Sequence, residues 1–180
     1  GLSTLTRMPE RFSAVITANT LLPNCEPPPK GIADWPGELV ANWAAVTAAA
    51  DDLPVADIVS GVCVNGLTGD EQAAYDAPFP DASYKAAVLE FPSLIPIRED
   101  MPGCAENREV WSFLERWDKP FVTAFSDGDP TTAAWAGVFR QRIPGANNDW
   151  HTTIAGAGHF VQEEQGPALA ATVLAVRSAS

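Results

Sequence analysis

The sequence predicts an α/β fold in which a parallel sheet is flanked by helices and interrupted by a helical insertion. Between residues 107 and 177, helix-like and strand-like segments alternate regularly, which is typical of parallel sheets covered on both faces. By contrast, residues 34–98 carry short helical patterns but no convincing buried strand. These two observations together predict one interrupted α/β domain.

Three short segments are predicted to be strands, and the first two have the apolar, partly β-branched character of buried strands. They lie at residues 14–20, 120–125 and 150–154. The neighbouring patterns predict helices at residues 2–8, 107–117, 131–142 and 167–177. Because a sheet of three strands would leave one long edge exposed, we predict the C-terminal part of a larger α/β domain rather than a complete three-stranded unit.

Three of the predicted helices carry apolar side chains at the spacing of one helix face. In the helices of the α/β core these side chains are Val110, Trp111, Leu114 and Trp117, and Leu169, Val173 and Val176. In the insertion, Leu39, Trp43 and Val46 repeat in the same way. We expect each of these stripes to be the inward side of its helix.

A run of three prolines at residues 27–29 makes a stiff, extended connector that neither a helix nor a strand can continue through. We place a boundary there and divide the chain into core at 1–23, helical cap at 24–98 and core again at 99–180. Within the cap, helices are predicted at residues 37–50, 69–75 and 82–90. A segment of this size holds little core of its own, so we expect it to lie over another part of the molecule.

The composition limits the possible partners. Acidic residues outnumber basic ones by 23 to 11 and the formal net charge is −12, which argues against binding to nucleic acid or to anionic membranes. No apolar run approaches the ~18 residues of a membrane span. The three cysteines, Cys25, Cys63 and Cys104, are widely spaced, so we expect free thiols in a reducing, cytoplasmic compartment and no cysteine-based metal site.

Two residues follow predicted strands at positions where open α/β sheets carry functional groups. Asp129 follows the strand at 120–125, and His159 follows the strand at 150–154 behind two small residues. A carboxylate and then a histidine, each on a loop at a strand end, form the acid–base half of a hydrolase triad. Asp127 could replace Asp129, and Asp129 could instead simply cap the helix that begins near residue 131.

The chain offers no convincing nucleophile for this pair. It contains no Gly-x-Ser-x-Gly motif, and Ser60 lies in the insertion without a strand-to-helix context. Cys63 stands between two valines, where burial raises the pKa of a thiol and leaves it inert. The aromatic residues of the insertion predict an apolar, dry site beneath it; they are Trp35, Trp43, Tyr75, Phe79, Tyr84 and Phe91.

Four motifs of the chain are distinctive: NTLLP at residues 19–23, AYDAPFPDASY at 74–84, FP at 91–92 and GHFVQE at 158–163. Together they resemble the haloalkane dehalogenases, a family of the α/β-hydrolase fold, and the resemblance covers essentially the whole chain. It implies the C-terminal part of an α/β-hydrolase parallel sheet with a helical cap, or lid, inserted. In this family an aspartate displaces halide from carbon, and a histidine, aided by a second carboxylate, activates the water that hydrolyses the resulting alkyl ester.

The resemblance implies that His159 is the general base and that Asp129 is the acid that orients it. It also assigns a substrate pocket, with Trp43 as the candidate second halide ligand; the pocket residues are Phe91, Pro92, Ile95, Phe160 and Trp43. No metal or organic cofactor is implied. The expected partners are a small halogenated hydrocarbon, water and the halide product, and the complete protein is expected to be a monomer.

The resemblance further implies that the nucleophile lies outside the 180 residues. In the family it belongs to an Asp-Trp-Gly turn just ahead of a helix start that Gly1-Leu2 resembles. The aspartate is therefore expected about three residues before Gly1, and the 180 residues alone are expected to be inactive. Thr131 and Thr132 stand where the family is more often apolar, which predicts a more polar pocket.

Two alternatives stay open at this point. An epoxide hydrolase of the same fold would use a lid tyrosine to protonate the opening oxygen, and Tyr75 and Tyr84 are the only tyrosines in the chain. The other alternative is a non-catalytic truncated paralogue that only folds or binds a partner.

Overall fold

The computed structural model of the chain describes residues 1–26 and 37–179. At its centre is a parallel sheet of three strands in the order β1–β2–β3. These strands are β1 (Val15–Thr17), β2 (Phe121–Ser126) and β3 (Thr152–Ile154). In the register of the sheet, Ile16 pairs with Val122 and Phe125 pairs with Thr153. The three predicted strands are confirmed, although the outer two are shorter than expected.

Helices α1 and α6 to α9 accompany the sheet. Their bounds are α1 (Leu2–Arg7), α6 (Cys104–Leu114), α7 (Trp135–Arg142), α8 (Val161–Glu164) and α9 (Gly166–Ala179). Short 3-10 helices lie at Pro9–Arg11 and Pro144–Ala146. The alternation of helices and strands predicted after residue 107 is confirmed, and α8 is an additional turn of helix directly after the predicted base.

Between residues 37 and 98 the structure contains helices and no strand, as predicted for this part of the chain. It contains α2 (Gly37–Ala48), α3 (Val55–Gly61), α4 (Gly69–Asp76) and α5 (Ala86–Glu90), with 3-10 helices at Ala82–Lys85 and Phe91–Leu94. The start of α4 is fixed by a capping box, in which Thr68 and Glu71 satisfy each other's backbone N–H groups. The proline connector at 27–29 and Trp35 lie outside the described residues.

The main core lies between the sheet and helices α1, α6 and α7. The predicted stripe of α6 and the turn after it is buried, with Leu114 fully inaccessible. The rings of Trp111 and Phe139 stack at 5.6 Å, and Arg142 lies 4.0 Å above the Trp111 ring. All six residues of β2 are buried, which confirms that the central strand is covered on both faces.

Two of the predicted inward stripes are partly wrong. In α9, Val176 is buried but Val173 is 44% exposed, so the buried face of this helix is narrower than the predicted stripe. In α2, Leu39 and Val46 are exposed, whereas Val40 and Thr47 are buried. The buried row is therefore shifted by one residue, and the apolar pattern missed it because Thr47 hides its hydroxyl by donating to the Ala44 carbonyl.

The expectation of three free thiols is also wrong. Cys25 and Cys104 form a disulfide with their Cα atoms 5.7 Å apart, and Cys63 is the free cysteine. The loop before Cys25 is fastened to α6 as well, since Trp111 Nε1 donates to the Leu22 carbonyl at 2.8 Å and Asn107 Nδ2 donates to the Pro23 carbonyl at 2.6 Å. The two cysteines are 79 residues apart, so only the tertiary fold reveals the pairing.

No helix of the described residues is long and apolar enough to cross a membrane.

Candidate active site

The carboxyl ends of the three parallel strands meet at one edge of the sheet, and the loops that follow them bring the two predicted functional residues together. Asp129 lies on the loop after β2 and His159 on the loop after β3. Asp129 Oδ1 is 3.2 Å from His159 Nδ1. Asp127 instead uses its Oδ1 to accept a hydrogen bond from the Gly156 N–H at 2.9 Å, so it fastens the same two loops to each other.

The Asp129 side chain is completely inaccessible to solvent. Burial would raise the pKa of this carboxyl group, but hydrogen bonds from His159, Thr132 and Thr131 outweigh it and hold the pKa well below its ordinary value. The Thr131 N–H donates to Oδ1 at 2.9 Å and the Thr132 N–H donates to Oδ2 at 3.1 Å. Asp129 is therefore an ionised partner of His159 and also caps the turn that leads into α7.

The backbone of His159 is held from two sides. Its N–H donates to the Val62 carbonyl at 2.8 Å. The Asn19 side-chain amide donates to the carbonyls of Gly158 and His159 at 2.8 and 2.9 Å, and Asn19 Oδ1 accepts from the Ser126 N–H at 2.9 Å. Asn19 has a φ of 35°, a left-handed conformation that asparagine tolerates better than most residues. Asn19 thus joins the ends of β1 and β2 to the histidine loop.

Two glutamates after the histidine join its loop to the helical insertion. Glu164 accepts hydrogen bonds from the N–H groups of Gly158, Val64 and Asn65 at 2.6, 3.0 and 2.8 Å. Burial opposes ionisation of Glu164, but these backbone donors prevail and lower its pKa. Glu163 accepts from the Tyr75 hydroxyl at 2.8 Å.

Gly158 passes so close to the insertion that it leaves no room for a side chain. A Cβ at this position would overlap the Val62 carbonyl oxygen and lie 3.0 Å from the Cys63 Cα. Both neighbours are backbone atoms, so they cannot swing aside. The absence of a side chain at Gly158 therefore permits the contact that aligns His159.

We expect Gly158→Ala to destabilise the protein by about 1–3 kcal/mol, because overpacking against a fixed backbone forces local movement. The matched control is Gly137→Ala in α7, where nothing lies within 4 Å of the new Cβ; it should be neutral or stabilising by up to ~1 kcal/mol. Urea unfolding of both variants measures the difference. Equal free energies of unfolding for the two variants would contradict this account of Gly158.

An apolar cavity of about 390 Å³ opens beside His159. Its lining residues are Leu21, Leu39, Val40, Trp43, Ile58, Val62, Ile95, Thr131, Thr132, His159 and Phe160. Trp43, Ile95 and Phe160 were predicted for the pocket. The other two predicted pocket residues lie outside this lining: Phe91 is 65% exposed and Pro92 is buried within the 3-10 helix.

The two threonines of the cavity do not add free hydroxyl groups to it. The Thr131 hydroxyl donates to Asp129 Oδ1 at 2.7 Å, and the Thr132 hydroxyl donates to Asp129 Oδ2. Their polar ends are therefore directed at the buried carboxylate. The prediction of a more polar pocket is wrong for this reason.

The surroundings of Cys63 and Ser60 do not favour either residue as a nucleophile. Burial, with further contributions from Glu164 and Glu163, raises the pKa of the Cys63 thiol to about 11, so the thiol is neutral at ordinary pH. Ser60 lies within α3, and its hydroxyl oxygen accepts from the Leu67 N–H at 3.0 Å. Among residues 1–26 and 37–179, no group of three or more His, Cys, Asp or Glu side chains could hold a metal ion.

Sequence reasoning missed Asn19 and Glu164 as residues that position the site, although Asn19 lies in a motif that carries the family resemblance and Glu164 stands next to one. Asn19 comes two residues after the end of β1, and an asparagine at such a point is a signal for a left-handed turn. Glu164 follows the histidine motif directly. Neither signal identifies the partners in other elements, which are more than 90 residues away in sequence.

Several known proteins are similar to this chain in sequence or in fold. No protein-family model matches the chain. A haloalkane dehalogenase of Psychrobacter cryohalolentis is 39% identical over 170 residues, which are 94% of this chain and 54% of that protein. A haloalkane dehalogenase of Mycolicibacterium paratuberculosis is 35% identical over 181 residues, with 99% and 57% covered.

Solved structures give the same result. The tetrameric haloalkane dehalogenase DpaA from Paraglaciecola agarilytica superposes with a TM-score of 0.73 at 29% identity, covering 91% of this chain and 52% of that one. Haloalkane dehalogenase DbeA from Bradyrhizobium elkani, at 18% identity and a TM-score of 0.74, shares the fold. The chain spans about half the length of the curated relatives it matches. By sequence and by fold, the chain is similar to the haloalkane dehalogenases of the α/β-hydrolase fold over about half of their length.

Proposed function

We propose that the protein hydrolyses the carbon–halogen bond of haloalkanes and releases an alcohol and a halide ion. The observation that carries the proposal is the pairing of a buried, ionised Asp129 with the Nδ1 side of His159 at the wall of an apolar cavity. With Nδ1 engaged, Nε2 is the ring nitrogen that remains to accept a proton. The relatives that match the chain at 35–39% identity are named haloalkane dehalogenases, which supports the same reaction.

The proposed reaction has two chemical steps. A carboxylate nucleophile attacks the carbon that bears the halogen, so that a C–O bond forms and the halide leaves with the bonding electrons. His159 then takes a proton from a water molecule, which attacks the carbonyl carbon of the alkyl ester. Cleavage of the ester returns the carboxylate, and the alcohol leaves with a proton. Asp129 stabilises the imidazolium that exists between these proton transfers.

None of the cavity-lining residues among the described residues is a carboxylate. The proposal therefore assigns the nucleophile to a part of the protein beyond these 180 residues. It assigns Trp43, which lines the cavity, to the stabilisation of the departing halide, since an indole N–H can donate to an anion.

We propose the same division of the chain as before, with core at 1–23, a cap at 24–98 and core at 99–180. The contacts of Val62, Val64 and Tyr75 with the histidine loop support a role of the insertion as a cap that excludes water from the site. No metal or organic cofactor takes part in the two steps. Phe91 and Pro92 are not retained as pocket residues.

The epoxide hydrolase alternative is disfavoured by the state of the two tyrosines. Burial and the hydrogen bond to Glu163 raise the pKa of Tyr75 to about 12, and its proton is already donated to that carboxylate. Tyr84 is 61% exposed. Neither hydroxyl is thus suited to protonate an epoxide oxygen inside the cavity.

We propose a monomer for the complete protein, to be tested by light scattering; the neighbour DpaA is described as tetrameric.

The Cys25–Cys104 disulfide is typical of an oxidising compartment. It argues against the cytoplasmic location that the expectation of reduced cysteines suggested.

The test of the proposed function is the product balance of the full-length protein with 1-bromobutane. Bromide and 1-butanol should appear in equal amounts, and styrene oxide should not be hydrolysed. Diol formation from styrene oxide without bromide release from the haloalkane would instead support the epoxide hydrolase alternative. Absence of both activities in a folded full-length protein would support a non-catalytic paralogue.

A further inference from the structure

The hydroxyl group of Thr131 lies between the two members of the acid–base pair. It is 2.7 Å from Asp129 Oδ1 and 2.8 Å from His159 Nδ1. The direct distance from His159 Nδ1 to Asp129 Oδ1 is 3.2 Å, which is the longest of the three. Thr131 also lines the cavity beside His159. The hydrogen on His159 Nδ1 therefore has two possible acceptors, the Thr131 hydroxyl oxygen and Asp129 Oδ1.

The buried Asp129 carboxylate is surrounded by more hydrogen-bond donors than its lone pairs can accept. Oδ2 faces the N–H and the hydroxyl of Thr132. Oδ1 faces the N–H of Thr131, its hydroxyl and His159 Nδ1. A carboxylate offers about four lone-pair positions, two on each oxygen. Oδ2 is therefore fully used, and Oδ1 has three donors for about two positions.

The Thr131 hydroxyl relieves this excess. Its single hydrogen is directed at Oδ1, because an ionised carboxylate can only accept. At 2.8 Å from Nδ1, the hydroxyl oxygen can then act only as an acceptor, and the hydrogen of that contact must come from Nδ1. The shorter contact of the imidazole Nδ1 is consequently with the threonine hydroxyl, at 2.8 Å, and not with the carboxylate, at 3.2 Å.

We propose that Thr131 is a positioning residue of the acid–base pair: its hydroxyl is the principal acceptor of the His159 Nδ1–H and transmits the pull of the Asp129 carboxylate to the ring. The inference rests on the proposed function, since it concerns the same histidine. Two hydrogen bonds in series strengthen each other. They fix the ring in the Nδ1–H tautomer and leave Nε2 as the base.

The second histidine of the chain supplies an internal control, because its contacts require the opposite tautomer. The Thr123 N–H donates to His151 Nδ1 at 3.1 Å, so Nδ1 carries no hydrogen in the neutral ring. His151 Nε2 lies 2.7 Å from the Ala146 carbonyl and must be the donor there. The two neutral histidines should therefore give distinct tautomer patterns in one nitrogen NMR spectrum.

The experiment compares Thr131→Val with Thr131→Ser in the full-length protein with labelled histidines. Valine keeps the shape and removes the hydroxyl group, whereas serine keeps the hydroxyl group. The wild-type protein and Thr131→Ser should show a slowly exchanging His159 Nδ1–H, and in Thr131→Val this proton should shift and exchange at least tenfold faster. The His151 signals report folding, and Thr131→Ala repeats the test if the valine variant does not fold.

Activity gives the second readout. Hydrolysis of the alkyl ester, followed in single-turnover experiments, should slow about tenfold in Thr131→Val, on the scale of one hydrogen bond in the second step, and Thr131→Ser should restore it. Formation of the ester should slow much less than its hydrolysis, because His159 acts only on the second step.

The outcomes separate this inference from the proposed function. If Thr131→Val keeps the wild-type Nδ1–H shift, exchange rate and hydrolysis rate, the direct bond to Asp129 suffices and the role of Thr131 is overturned while the proposed function stands. If the wild-type protein itself shows no His159 Nδ1–H, the Asp129–His159 pair is not formed, and both fail.

Discussion

Replacing His159 by alanine should leave the full-length protein able to form the alkyl ester but unable to hydrolyse it at a useful rate. The turnover rate should fall by about 10²–10⁴-fold, the usual contribution of a general base. Its imidazole is the only titratable side chain among the described residues that line the cavity, and no other group there can take the proton from water.

The measurement is mass spectrometry of the protein after incubation with 1-bromobutane, together with bromide release. One bromide per protein molecule and a mass increase of one butyl group are expected. His151→Gln serves as the control, because His151 contacts Thr123 and Ala146 rather than the cavity; per folded molecule it should retain turnover. Full turnover in His159→Ala, or an adduct of equal lifetime in both variants, would refute the assignment of the base.

Removing the Cys25–Cys104 disulfide by a double serine substitution should lower the free energy of unfolding by about 2–4 kcal/mol. The bridge spans 79 residues, so it restricts a long loop of the unfolded chain. For a protein of this size the melting temperature should fall by roughly 5–15 °C. A thermal melt of the variant beside the wild-type protein measures the effect.

Treatment with a reductant gives an independent measurement of the same effect. It should lower the melting temperature of the wild-type protein to that of the double variant and leave the double variant unchanged. Cys63→Ser, which removes the free cysteine, should not change the response to reductant. A wild-type melting temperature that does not respond to complete reduction would show that the bridge does not contribute to stability.

The parts of the fold that the sequence predicts well are those where one physical requirement dominates. In β2, burial on both faces requires a continuous apolar run, and the run at 120–125 is readable directly. The stripe from Val110 to Leu114 is readable for a similar reason, because one face of α6 packs entirely on the core. In α2 the requirement is mixed, since the cavity leaves Leu39 half-exposed while Thr47 is buried through a local hydrogen bond.

The residues of the candidate site also fall into those that the sequence predicts and those that it does not. Asp129 and His159 could be predicted because strand order and loop position place them at one sheet edge. The roles of Thr131, Asn19 and Glu164 could not, because each depends on which atom faces which across elements far apart in sequence. The pairing of Cys25 with Cys104 escaped prediction for the same reason, as an odd number of widely spaced cysteines permits several states.

The hydrogen bonds of Asn19 also bear on the order in which the molecule folds. Its amide joins Ser126, Gly158 and His159, which follow it by 107, 139 and 140 residues. Closing such long loops is entropically costly and slow, so these contacts come late in folding. A ribosome must release nearly the whole of this chain before the imidazole of His159 can reach its working position, and partly synthesised chains therefore carry the sheet edge without a functional base.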